Sequence, residues 1–217
     1  MVDISRELTA IQRETGPGKT PVGEGKTVLL RRTYAADIED VWDALTTAER
    51  INRWFLPISG DLRLGGHYQF EGNAGGEILA CEKPNLLRVS WVMGEPTPDT
   101  FSEVEVRLSQ AETGTLFEME HTATVPPEMW DQFGPGAVGV GWELGLFGLA
   151  LYVESRAGAA VLEDKTAWAE SDEARQFMTA SSEAWGEAYL ASGASPEVVA
   201  TAVAATTEFY APTIPSP

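Results

Sequence analysis

The sequence predicts an α+β domain in which an antiparallel sheet with one solvated face is covered by a long apolar helix. Three observations predict it. From residue 61 to residue 123 the apolar side chains recur at every second position, in several short runs separated by turn residues. Residues 137–153, AVGVGWELGLFGLALYV, form an apolar run too long for a strand. Two further helical patterns close the chain, and a sheet that is apolar on one side needs such elements to cover it.

The elements follow in order. DISRELTAIQRE (3–14) has helical spacing through Ile4, Leu8 and Ile11, and GPGKTPVGEG then breaks the pattern, which predicts a short helix and a linker over 1–25. KTVLLRRTY (26–34) is rich in β-formers and reads as the first strand. DIEDVWDAL (37–45) carries Ile38, Val41, Trp42 and Leu45 on one helical face. Thr46 followed by Glu49 matches a capping box, since hydroxyl and carboxylate each satisfy a free backbone N–H. It opens a second helix, AERINRWF, with Ile51, Trp54 and Phe55 on one side and Pro57 as its stop.

The period then changes to two. In DLRLGGHYQF, Leu62, Leu64, Tyr68 and Phe70 alternate with polar residues, and LLRVSW puts Leu87, Val89 and Trp91 on one face. FSEVEVRL aligns Val104, Val106 and Leu108, and GTLFEMEHTA aligns Phe117, Met119 and His121. Breaks at 71–76, 84–85 and 94–98 carry Gly, Pro and Asn. After the Pro-rich stretch TVPPEMWDQFGPG, a helix is expected from 137 to about 156. Each glycine in a helix interior costs about 1 kcal/mol relative to alanine, so the glycines of this helix imply close approach by another element. SDEARQFMTASSEAWGEAYLAS (171–192) and SPEVVATAVAATTEFY (195–210) read as helices, the second with Ser195 as N-cap and Pro196 in its first turn. Their apolar faces, through Phe177, Met178 and Trp185 and through Val199, Val203 and Phe209, are the expected cover of the long helix, either in cis or from a second subunit as a homodimer.

Composition bounds the function. The chain has 217 residues, with 15 Lys+Arg against 33 Asp+Glu and a net charge of −18, so nucleic acid and anionic membrane surfaces are disfavoured as partners. Cys81 is the single cysteine, which excludes an intrachain disulfide, and the start is not a signal peptide; a cytoplasmic protein is expected. A membrane span needs about 20 apolar residues, and the 137–153 run is shorter and carries Glu143. His67 and His121 stand far apart without zinc-ligand spacing, and no phosphate loop, dinucleotide fingerprint or Ser-His-Asp order occurs, so neither metal nor cofactor is expected. GNAGGE (72–77) reads as a hairpin turn.

RRTYAADIEDVWDALTTAERINRWF, then SGDLRLGGHYQFEGNAGGEILACEKPNLLRVSW, then GVGWELGLFGLALYVE carry several motifs in one order. They are Arg-x-Tyr-Ala before a Val-Trp helix, a Trp-Phe second helix, a Gly-Gly-x-aromatic strand, a Gly-x-Ile strand, a Pro-x-x-Leu turn and a Gly-Trp helix opening. In these the chain resembles the START/Bet v 1-like (SRPBCC) superfamily and, within it, the group of Hsp90 ATPase activator homologues. The resemblance covers residues 26–157, leaving 158–217 as a helical extension. It implies a helix-grip fold, a curved sheet wrapped around the long C-terminal helix with an apolar cavity between them. It also implies chaperone contact, although residues 1–25 lack the Asn-Asn-Trp-His-Trp signature of co-chaperone activators.

Trp54, Tyr68, Phe70, Trp91, Phe117 and Trp142 fall on inward faces and are the candidate lining for an apolar ligand, with His121 and Leu146; a filled core is the other reading. His121 and Glu143 are the candidates for acid–base chemistry. Glu143 also suits the dipole of a helix N-terminus, and His67 is expected in solvent. Arg31 and Arg32 are expected to pair with acids, and Cys81 has no activating base. Three functions follow: a non-enzymatic domain binding a small apolar molecule, a chaperone-associated or regulatory interaction module, and a cyclase- or hydrolase-type enzyme using His121.

Overall fold

Residues 4–94, 97, 99–154 and 165–212 are described by the structure, a computed structural model. Eight strands form one curved antiparallel sheet: β1 (Gln12–Thr20), β2 (Gly23–Tyr34), β3 (Ile58–Gly60), β4 (His67–Phe70), β5 (Gly75–Glu82), β6 (Leu86–Ser90), β7 (Ser102–Ala111) and β8 (Gly114–Ala123), in the order β1-β2-β8-β7-β6-β5-β4-β3. The period-two pattern becomes a register. Val104 lies opposite His121, Val106 opposite Met119 and Leu108 opposite Phe117, and all six are buried. The other face carries charge, with Arg31 Nε 2.7 Å from Glu118 and its Nη1 bonded to Glu14. A one-residue slip would exchange the two faces, so the apolar alternation itself holds the register.

Two segments differ from the sequence expectation. The first helix stops at Thr9. Residues 12–20, expected as the end of that helix and the start of the linker, form β1, which pairs along its length with β2. Its partners are backbone groups, so its composition carries no apolar period; Pro17 is tolerated because β1 is an edge strand. Residues 61–66, expected to open a strand, form a turn, and Leu64 is 64% exposed. Gly65 adopts φ +76°, a left-handed conformation that ends the alternation.

The helices are α1 (Ile4–Thr9), α2 (Ile38–Thr46), α3 (Ala48–Trp54), α4 (Pro127–Phe133), α5 (Gly136–Glu154), α6 (Lys165–Ala169), α7 (Asp172–Ala191) and α8 (Pro196–Tyr210). The expected capping box does not form: Thr47 is the N-cap of α3, and its hydroxyl donates to Asp43 instead of capping the helix. Thr46 instead donates to the Trp42 carbonyl, one turn back. α4 occupies part of the expected Pro-rich break. The expected helix over 137–156 is α5; its last two expected residues lie outside those described.

α5 is long and apolar enough to cross a membrane by length and composition, yet it is the core of the domain, between the sheet on one side and α7 and α8 on the other. Its glycines explain the fit. A Cβ on Gly139 would stand 2.1 Å from the Trp185 ring, and one on Gly148 would stand 2.7 Å from the Trp54 carbonyl oxygen. Phe177 and Trp185 are fully buried on this side, as expected of a cover supplied in cis. Phe209, expected on the buried face of α8, is 65% exposed; the buried residues there are Ala202 and Thr206. Close packing explains the exchange, because Thr206 meets Gly136 and Val203 meets Gly186, contacts that a phenylalanine would not fit.

Candidate ligand cavity

Between the inner face of the sheet and the inner face of α5 lies an apolar hollow of about 120 Å³. β4 contributes Tyr68 and Phe70, β6 leads to Trp91, β8 contributes Phe117, α3 contributes Trp54, and α5 contributes Trp142 and Leu146. Seven of the eight expected lining residues therefore converge on one space. The rings pack at angles: Trp91 and Trp142 have centroids 4.6 Å apart at 53°, and Phe70 and Trp91 lie 5.5 Å apart at 46°. Phe55, at the end of α3, stands edge-on to Phe70 at 4.9 Å.

Three polar atoms of this lining are spent on protein acceptors. Trp54 Nε1 donates to the Ala44 carbonyl at 2.9 Å, Tyr68 Oη to the Ser90 carbonyl at 2.7 Å, and Trp142 Nε1 to His121 Nδ1 at 3.0 Å. Burial pushes the Tyr68 phenol well above its ordinary value, so it stays neutral. The hollow consequently presents ring faces and methyl groups, suited to dispersion and apolar burial.

His121, the eighth expected lining residue, faces a second hollow of about 70 Å³ bounded by β2, α4 and the start of α5. An indole N–H can only donate, so Nδ1 is the acceptor and Nε2 carries the proton, which reaches Ser102 Oγ at 2.8 Å. Burial pushes the imidazole down to about 4. Glu143 turns the opposite way. It is fully buried against Arg13, with Nε at 2.5 Å and Nη2 at 2.9 Å, and accepts from Ser181 Oγ at 2.9 Å. The expected acid–base candidates are thus not brought together: Glu143 is a structural anion that ties β1 and α7 to α5. Arg32 forms a second buried pair, 3.1 Å from Glu7 and 3.7 Å from Glu154. His67 is exposed, as expected, and Cys81 is an exposed residue at the rim of the larger hollow.

Sequence reasoning missed the aliphatic half of the lining, notably Leu87, Val89, Val104, Val106 and Met119. The signal was present: Leu87 and Val89 share a face with Trp91, Met119 shares one with Phe117, and Val104 and Val106 keep the period-two alternation on β7. Arg13 had no such signal: it lies 130 residues from Glu143.

A family model described as Activator of Hsp90 ATPase homolog 1-like protein matches residues 35–154, from just after β2 to the end of α5. Among solved structures, CalU16 from Micromonospora echinospora is similar in its crystal form, at 38% identity and TM-score 0.63 over 82% of this chain and 98% of that one. Its solution structure gives 39% identity and TM-score 0.67 over 85% of this chain and 97% of that one. DynU16, from the dynemicin biosynthetic locus, shares the fold at 20% identity and TM-score 0.51, over 59% of this chain and 47% of that one. No curated protein matches the chain. Over more than half its length, and with the same curved sheet closed by a long helix, the chain belongs to the family of Activator of Hsp90 ATPase homolog 1-like proteins.

Proposed function

We propose that this protein binds a small, uncharged, apolar molecule in the hollow between the sheet and α5, without catalysing a reaction on it. The observation that supports this reading is the hollow itself: its lining donors at Trp54, Tyr68 and Trp142 are already spent on protein acceptors. A site of that kind selects by shape and apolar area. Its volume of about 120 Å³ falls below the roughly 300–1,000 Å³ of drug-sized sites and near the roughly 150 Å³ of a cavity that holds benzene, which points to ligands of about one ring. The cyclase or hydrolase reading loses support, because His121 and Glu143 serve different partners on different sides of α5.

Calorimetric titration with benzene tests the reading, beside native mass spectrometry of protein taken from its own host. Benzene should bind the natural chain, and Val106→Phe, which fills the hollow from β7, should abolish binding while leaving the fold intact. Equal benzene binding by both proteins, or none by either, would overturn it.

A further inference from the structure

The two hollows lie end to end along the same two elements. On β8, Phe117 and Met119 face the larger hollow, and the next inward positions, His121 and Ala123, face the smaller one. On α5 the order is the same, with Leu146, Gly145 and Trp142 towards the larger hollow and Val138 and Ala137 towards the smaller. Both elements cross from one space to the other where Trp142 meets His121. There the indole N–H is bonded to Nδ1 at 3.0 Å, and the two rings stand edge-to-face with centroids 5.7 Å apart at 86°. Ser102 holds the far nitrogen of the imidazole, and Trp91 packs against the indole face.

We infer that the Trp142–His121 pair is an internal partition that sets the size of ligand the protein accepts. This rests on the proposal that the larger hollow binds an apolar molecule. With the pair closed, the hollow offers about 120 Å³ to a single ring. With the indole displaced, that space, the smaller hollow of about 70 Å³ and the volume of the indole itself become continuous. A fused-ring or elongated apolar ligand then fits, at the cost of the bond between Trp142 and His121. Trp142 is the size-determining residue, and His121 is a positioning residue that acts through it.

Titration with two probes, benzene and naphthalene, tests this on the natural chain, Trp142→Ala, His121→Phe and His121→Asn. The natural chain should prefer benzene, and Trp142→Ala should reverse that preference. His121→Phe keeps a ring but removes the acceptor, so naphthalene affinity should rise about fivefold, the worth of one net hydrogen bond, with benzene affinity unchanged. His121→Asn restores an acceptor near Nδ1 and should keep the natural preference. If Trp142→Ala does not fold, the two His121 variants still decide the matter. Benzene binding with an unchanged preference in every folded variant would overturn the partition alone. Absence of benzene binding throughout would overturn the ligand reading and the partition with it.

Discussion

His121 shows how a single buried donor–acceptor pair constrains chemistry. In the unfolded chain its imidazole titrates near 6.5, and in the folded chain burial holds it down to about 4. Among the described residues, Lys26 is the one charged side chain on the walls of the smaller hollow. Above pH 6.5 both states are neutral and the full stability is present. As the pH falls from 6.5 towards 4, the unfolded state takes up a proton that the folded state refuses, so stability declines by up to about 1.4 kcal/mol per pH unit. Urea unfolding should therefore show His121→Asn losing about 2–3 kcal/mol less than the natural chain between pH 7 and pH 4.5; parallel losses would refute the assignment. Glu143 makes a different point. Glu143→Gln strands the Arg13 guanidinium, whose side chain is only 10% exposed, and should cost about 3 kcal/mol by the same measurement. A cost below about 1 kcal/mol would show that water reaches the pair. Both residues were visible in the sequence as chemistry-bearing groups, but their partners were not, because Ser102, Trp142, Arg13 and Ser181 come from separate elements.

At the scale of the element, α5 resolves a conflict between local propensity and packing. Its glycines weaken it as an isolated helix, yet two neighbouring elements need the missing side chains. Gly139→Ala gains about 1 kcal/mol of helix propensity. It also places a methyl group 2.1 Å from the fully buried Trp185 ring. Overpacking of that kind costs about 1–3 kcal/mol, and the ring has nowhere to go, so a net loss is expected. Gly141→Ala meets only the Tyr210 hydroxyl, at 3.0 Å on a half-buried side chain, and should stay within about 1 kcal/mol of the natural chain. Thermal unfolding of the two variants checks the contrast, and equal melting temperatures would contradict it. The need for close approach was legible in the glycine count, whereas the identity of the approaching groups was not. The opposite failure occurred at β1, whose edge pairing uses backbone atoms that leave no pattern in the sequence.

At the scale of the whole molecule, α7 and α8 act as a second cover, outside the segment that matches the family model. Phe147 on α5 and Phe177 and Trp185 on α7 are each within 2% of complete burial, and burying such side chains contributes about 1.5–3 kcal/mol apiece. Removing residues 171–217 should expose the outer face of α5, giving aggregation in light scattering and increased binding of a fluorescent apolar dye. A truncated chain that stays monomeric with an unchanged melting temperature would show that the cover is dispensable. Period-two and helical spacing are local and repetitive, so the sequence by itself determined the one-sided sheet, the long helix over it, the N-cap of the last helix and the inward aromatics. Tertiary structure alone decided which side chains meet: Trp142 bonds His121, and Glu143 faces away to Arg13 and Ser181. Those outcomes depend on side-chain volumes and on partners far apart in the chain, and neither leaves a periodic trace.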